Sequence, residues 1–366
     1  MHVVKHEAAI AFRQDFPTIN IPTEELASHR KTISPLFQKA EKNAKPERCP
    51  ICGREAPKLC ISHTIPRYCL KEIAFEGKLL TSAAIMGGNI IDNEVGIGKA
   101  VTFRRVCGKC DSEYFKLYET PGVLLDPPGS QAMGQIAAKN LLRDISKAKM
   151  EIGLKGALGE ATLPEFNSLA DVRSADVAED EKALKTALRV GRTPRSSNAF
   201  HLVLHMVLPY TVPFAFQQMI NPIADFKGGA INHTLNQSPN YRIEPLHICV
   251  LPTKGNTVVL MFRSEAAKRY RVFEKQLNAL SEAERLQGIV KLIFAYSEDV
   301  LISPKIDSSA LEDRNLARLA RMNSVYQGFG ETHDACNRTA ATAALREYAI
   351  DNLPSPPNLL SRKYAL

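Results

Sequence analysis

The stretch CPICGREAPKLCISHTIPRY, residues 49–68, sets a Cys-x-x-Cys pair on a Pro/Gly turn and follows it with a histidine. A second pair lies in RRVCGKCDSEYF, residues 104–115. Cys49, Cys52, Cys107 and Cys110 together supply four thiolates, the donor set that closes a tetrahedral structural zinc site. The first pair is predicted on a turn and the second at the start of a helix, with strands between them.

Working outward, 366 residues are more than one typical domain needs. A hydrophobic content of 45% and a charged content of 23% describe a globular chain that builds its core without staples. MHVVKHEAAIAF at the N-terminus has no apolar run of secretory length, so thiols rather than disulfides, and a cytoplasmic location, are expected. The most apolar segment, AFHLVLHMVLPYTVPFAF (199–216), is interrupted by two histidines and two prolines and reads as buried core, not as a membrane span. Cys60, Cys69, Cys249 and Cys336 have no partner pattern and read as buried thiols. A net charge of +8 fits a polyanionic partner, DNA or RNA. The chain has no Trp and no aromatic run among its basic residues, which argues against a single-strand stacking platform. Neither a Walker nor a dinucleotide fingerprint occurs.

The predicted organisation is an N-terminal helical arm (1–45), a zinc-binding module (46–125), a helical connector (126–198), an α+β domain (199–310) and a helical C-terminal tail (311–366). Within the module, GKLLTSAAI (77–85) and KAVTFRRV (99–106) read as strands joined by a Gly/Asn/Asp-rich loop. The module's helix is predicted to run from Cys107 through Glu119. AMGQIAAKNLLRDISKAKMEIG (132–153) has helical spacing. HLVLHMVLPYTV, PLHICVLPTKG and NTVVLMF read as strands, the last two joined by a hairpin turn at KGN (254–256). The fold class is α+β: a zinc-bound, treble-clef-like module followed by a larger mixed domain with a helical tail.

The pattern of Cys49, Cys52, His63, Pro66, Cys107 and Cys110 resembles the zinc-supported members of the HNH nuclease superfamily over residues 49–119. C-x-x-C…S-H-x-I-P…C-x-x-C-D also looks like bacterial HNH-like proteins met near defence and mobile-element genes. The resemblance implies an endonuclease in which His63 takes a proton from water and a divalent ion, Mg²⁺ or Mn²⁺, stabilises the developing charge. It implies Asp111 as a ligand of that ion, with Glu119, on the same helix, as a second. Asn89 or Asn93 would fill the superfamily's middle asparagine role. An effector role in bacterial phage defence is the setting it implies. Two departures stand out: Ser62 replaces the acidic residue usual before the histidine, and no histidine lies in the predicted helix.

Basic residues mark candidate nucleic-acid contacts. Arg67, Lys71, Arg104, Arg105 and Lys109 are near His63 in sequence or pattern, and Arg314, Arg318 and Arg321 share one helix face. Lys185, Arg189, Arg192 and Arg195 form a further group, weighed against an ordinary solvated face. Glu331, His333 and Cys336 read as a polar loop. Two functions stay open: a metal-dependent endonuclease, and a non-catalytic zinc-stabilised module that binds nucleic acid or protein. The second domain is expected to recognise substrate, a protein partner or a regulatory trigger. No membrane partner is expected, and no oligomeric state is assigned.

Overall fold

Turn, ribbon and helix follow one another around the cysteines. The computed structural model describes residues 23–55, 58–86, 93–158, 165–194, 197–233, 240–326, 343 and 345–366. Cys49 sits on a turn closed by Cys49 N–H to the Arg54 carbonyl (3.0 Å) and Gly53 N–H to the Cys49 carbonyl (2.8 Å). Gly53 carries the turn's φ of +70°, which glycine adopts without a Cβ penalty. β1 (Ser62–His63) pairs antiparallel with β4 (Thr102–Phe103), His63 opposite Thr102. Between them come α2 (Arg67–Ile73), β2 (Lys78–Thr81), α3 (Ala83–Met86) and β3 (Glu94–Gly96). α4 (Gly108–Tyr114) opens directly after Cys107.

Two local expectations are corrected here. The segment 99–106 contributes only two strand residues, and β2 and β3 leave the ribbon to pair with each other on another sheet. The module's helix stops at Tyr114: Phe115 has φ −90° and ψ 1°, and turn bonds such as Thr120 N–H to Leu117 C=O carry the chain onward. Glu119 is therefore not on the helix of Asp111.

The main sheet has the order β3–β2–β9–β6–β7–β8–β5, every neighbouring pair antiparallel. Its further strands are β5 (Phe200–Leu208), β6 (Phe214–Ile220), β7 (Leu246–Thr253), β8 (Asn256–Ser264) and β9 (Leu301–Ile302). β6, β7 and most of β8 are buried without alternation. The reason is that helices cover both faces. On one face Ala215, Met219, Cys249, Leu251, Leu260 and Phe262 share a core with α2 and with α5 (Ser130–Leu158). On the other, Phe214, Phe216, Ile248, Val250 and Met261 pack with α7 (Arg271–Ala279), α8 (Glu282–Tyr296) and α10 (Arg314–Tyr326), the last preceded by the short α9 (Ser308–Leu311). The β7–β8 turn has positive φ at both central residues, Lys254 (+50°) and Gly255 (+75°), the backbone that a two-residue hairpin loop requires.

The sheet runs across the predicted division near residue 125, because β2 pairs with β9, which pairs in turn with β6. α5 and α6 (Glu165–Arg192) cross so closely that a Cβ on Gly134 would meet the Gly191 nitrogen at 2.6 Å. Tyr114 at the end of α4 donates into this crossing, to the carbonyls of Ala187 (3.2 Å) and Leu188 (3.0 Å). The arm helix α1 (Thr23–Asn43) packs on α5, with Ala40 against Gly153. The tail is helical in α10. Residues 349–366 instead run irregularly across the core, apart from one 3₁₀ turn, and bury Leu353, Leu359 and Leu360. Among the described residues, no helix is long and apolar enough to cross a membrane.

Candidate active site and zinc centre

The four cysteines predicted as ligands converge. All four Sγ atoms of Cys49, Cys52, Cys107 and Cys110 lie within 4.8 Å of one another, with Cys52 and Cys107 4.0 Å apart. A tetrahedron of Zn–S bonds of about 2.3 Å sets sulfurs about 3.8 Å apart, so the donor set and its spacing fit zinc. Among the described residues, no other group of three or more His, Cys, Asp or Glu side chains converges in this way. The Arg54 backbone N–H, and then the neighbouring sulfurs, bring the exposed Cys52 thiol down to about 7 despite desolvation. Burial pushes Cys110 up. Zinc here would be structural: it joins the turn to α4. Arg192 adds a protein link by donating to the Ile51 carbonyl inside the same turn. Cys69 and Cys249 are buried core thiols as expected, and Cys60 is half-buried with its Sγ 3.4 Å from the Val106 carbonyl. Cys336 lies outside the described residues.

A pocket of about 430 Å³ opens beside this centre, lined by His63, Arg67, Asp111, Glu119 and Lys139 among others. His63 and Asp111 meet there because β1 and the first turn of α4 lie side by side. His63 is half-buried, and its Nε2 is 2.9 Å from the Ile97 carbonyl. A carbonyl only accepts, so Nε2 carries the proton and Nδ1 keeps its lone pair. Burial lowers the His63 pKa below 6.5, helped by the charges of Arg67 and Lys139 and opposed by the Ile97 bond. The ring is therefore neutral at pH 7. The next residue is pinned as well: Thr64 N–H (3.1 Å) and its hydroxyl (3.2 Å) both donate to the Val101 carbonyl. Val101 is held at φ +44°, a region β-branched residues rarely enter.

The acidic side of the pocket differs from expectation. Lys139 reaches it from α5 with a side chain 1% exposed. Its ammonium donates to Ser62 Oγ (2.8 Å) and Asp111 Oδ1 (2.8 Å), and lies 3.0 Å from Glu119 Oε1. It also lies 4.2 Å from the centre of the Phe115 ring. Ser62, fully buried, donates in turn to Asp111 Oδ1 at 2.6 Å. Three oxygens thus lie around the ammonium, two of them in hydrogen bonds and one in an ion pair. Burial raises the Glu119 pKa against the opposing pull of Lys139. Asp111 and Glu119, expected as ligands of Mg²⁺ or Mn²⁺, are instead closed onto a lysine. Ser62, a poor metal ligand, becomes the hydrogen-bonding bridge between that lysine and Asp111.

The predicted basic contacts divide. Arg67 lines the pocket as the first residue of α2, and Lys71 is exposed one turn further along. Arg105 is corrected: it is 5% exposed and donates to the Ala44 carbonyl (2.8 Å), a structural tie to the end of α1. Arg104 is 3.6 Å from Glu41, and Lys109 is exposed on α4. Arg314 and Arg318 are exposed on α10, whose other face buries Leu316 and Leu319, and none of these residues lines the pocket. Asn93 is described but does not line the pocket. Asn89, Arg195, Glu331 and His333 lie outside the described residues.

Comparison with protein-family models, with curated proteins and with solved structures finds no match for this chain.

Lys139 is the site residue that motif reading missed. A signal existed: in QIAAKNLL the lysine and Asn140 stand inside an otherwise apolar helical run, and buried polar groups demand partners. Asn140 finds His247 Nδ1 (3.1 Å) and Gln217 (3.1 Å) on the sheet, while Lys139 finds the pocket. His247 is stacked 4.6 Å from Phe262, and burial pulls it down to about 3, so it stays neutral.

Proposed function

We propose that this chain is an HNH-like hydrolase that cleaves phosphodiester bonds in DNA or RNA, with His63 as general base. The observation that carries the reading is the setting of His63. A backbone carbonyl fixes its tautomer, burial keeps it neutral, and its side chain lines a pocket with the arginine Arg67 at its rim. Water gives a proton to Nδ1 and its oxygen bonds to phosphorus. The P–O bond to the leaving oxygen breaks, and that oxygen takes a proton from solvent. Zinc on the four thiols would hold β1 and α4 in the relation that forms the pocket. A divalent ion between Asp111 and Glu119 forms no part of this function, because the Lys139 ammonium already stands between the two carboxylates, in contact with one oxygen of each. A role in bacterial phage defence belongs to this proposal through the sequence resemblance, and a cytoplasmic setting through the N-terminal sequence.

The same lysine favours a second reading, a zinc-stabilised module that binds nucleic acid or protein without cutting it. Plasmid DNA and RNA, incubated with wild type and His63→Ala, separate the two. Removing a general base lowers cleavage by about 10²–10⁴-fold. Binding without cutting, unchanged in the variant, leaves the second reading.

A further inference from the structure

Resting on the hydrolase reading, we propose that Lys139 is the resident cation of this pocket, and that phosphodiester cleavage here runs without a divalent metal ion. Ser62 Oγ, Asp111 Oδ1 and Glu119 Oε1 surround one ammonium at 2.8, 2.8 and 3.0 Å. One oxygen of each carboxylate is thus turned to the ammonium, which stands between the two acidic side chains where a hard cation would need to sit. An ion about 2.1 Å from Asp111 Oδ1 would lie within about 5 Å of the ammonium already bonded to that oxygen, in the same small space. The ammonium is not a surface side chain that swings aside: it is 1% exposed, on the long helix α5, and backed by the Phe115 ring. Its neighbour one turn on, Arg143, is anchored to the Thr102 carbonyl (3.0 Å) opposite His63, so helix and ribbon are held in register.

Electrostatics point the same way. Without Lys139 the pocket would present two carboxylates to an anionic phosphodiester. With it, Lys139 and Arg67 balance Asp111 and Glu119, and Arg67, exposed at the mouth, has donors for the phosphate oxygens. Charge developing on phosphorus-bound oxygen then meets a fixed positive centre that needs no reorganisation. Atoms balance as in the hydrolysis above. Water supplies the oxygen; one of its protons passes to His63 Nδ1 and from there to solvent, solvent protonates the leaving oxygen, and no cofactor is consumed. Lys139 acts by its charge and position, through the groups it holds.

The test uses the full-length, zinc-loaded protein with supercoiled plasmid and mixed-sequence RNA as probes, in EDTA and in millimolar Mg²⁺ or Mn²⁺, with zinc content measured after each incubation. Wild-type cleavage that depends on His63 and is equal in EDTA and Mg²⁺ is the expected result. Lys139→Ala should lose about 10²-fold or more in EDTA. It should also become Mn²⁺-dependent, because the cation between the two carboxylates is then gone, a gain that a merely structural role would not produce. Cleavage by wild type that stops in EDTA with zinc retained, and returns with Mg²⁺, overturns the inference and leaves the hydrolase reading standing. Full activity of Lys139→Ala in EDTA overturns it too. Absence of His63-dependent cleavage in every buffer overturns both readings. If Lys139→Ala does not fold, the wild-type comparison decides alone.

Discussion

Arg143 and Asp299 offer the sharpest test of how the site is held. Arg143 Nε and Nη2 donate to Asp299 Oδ2 (3.2 Å) and Oδ1 (3.0 Å), and Nη1 donates to the Thr102 carbonyl (3.0 Å). The side chains are 20% and 10% exposed. One arginine thus joins α5, the segment leading into β9, and the strand opposite His63. Two unit charges about 4 Å apart attract by about 4 kcal/mol at an effective dielectric of 20, before desolvation is subtracted. Removing one partner strands the other, at a cost of about 3–5 kcal/mol. Arg143→Met and Asp299→Leu are therefore each expected to lower the unfolding free energy by about 3 kcal/mol, the low end because Lys147 remains near Asp299. The double variant should recover about 2 kcal/mol relative to the sum, since neither charge is then left alone. Burial raises the Asp299 pKa, but Arg143 and Lys147 outweigh it and the net shift is downward. A depressed carboxylate stabilises above its unfolded pKa of about 3.9 and loses that contribution as pH falls through the folded value. The wild-type advantage over Arg143→Met should therefore be full at neutral pH and shrink in acid. Urea unfolding of zinc-loaded protein, followed by circular dichroism at several pH values, measures both effects. Additive single changes, or an advantage that grows on acidification, would refute the reasoning.

Two further outcomes follow from the site. Cys107→Ser should lose the bound zinc, about one equivalent by metal analysis in wild type, and with it the pocket beside α4; retention of the full equivalent would show that the four thiols do not share one ion. The pH profile of cleavage should be level through neutrality and fall only below 6.5, because the neutral ring is the active form and burial lowers the His63 pKa. An acid limb centred above 6.5 would mean that some other group is the base.

What was legible in the sequence was local. Cys-x-x-Cys on a turn, Cys-x-x-Cys before a helix and Lys254–Gly255 between apolar runs each encode their backbone within a few residues, and each turn forms where spacing placed it. His63 was visible through the S-H-x-I-P pattern that carries the resemblance, and it stands at the end of β1. The helix end was misread because Phe115 and Tyr118 keep helical spacing after the helix has stopped. Only the tertiary structure decided the electrostatics. Lys139 is 28 residues from Asp111 and 77 from Ser62, and the side chains meet because α5 is fixed over the sheet and against α6 through the Gly134–Gly191 contact. Likewise, β2 pairs with β9, from a segment far along the chain, a choice that strand composition does not encode. Turn and cap chemistry is short-ranged and survives in a motif. The sign and position of charge in a pocket depend on which distant helix packs there. For this protein that helix brings a lysine to the place where a metal was expected.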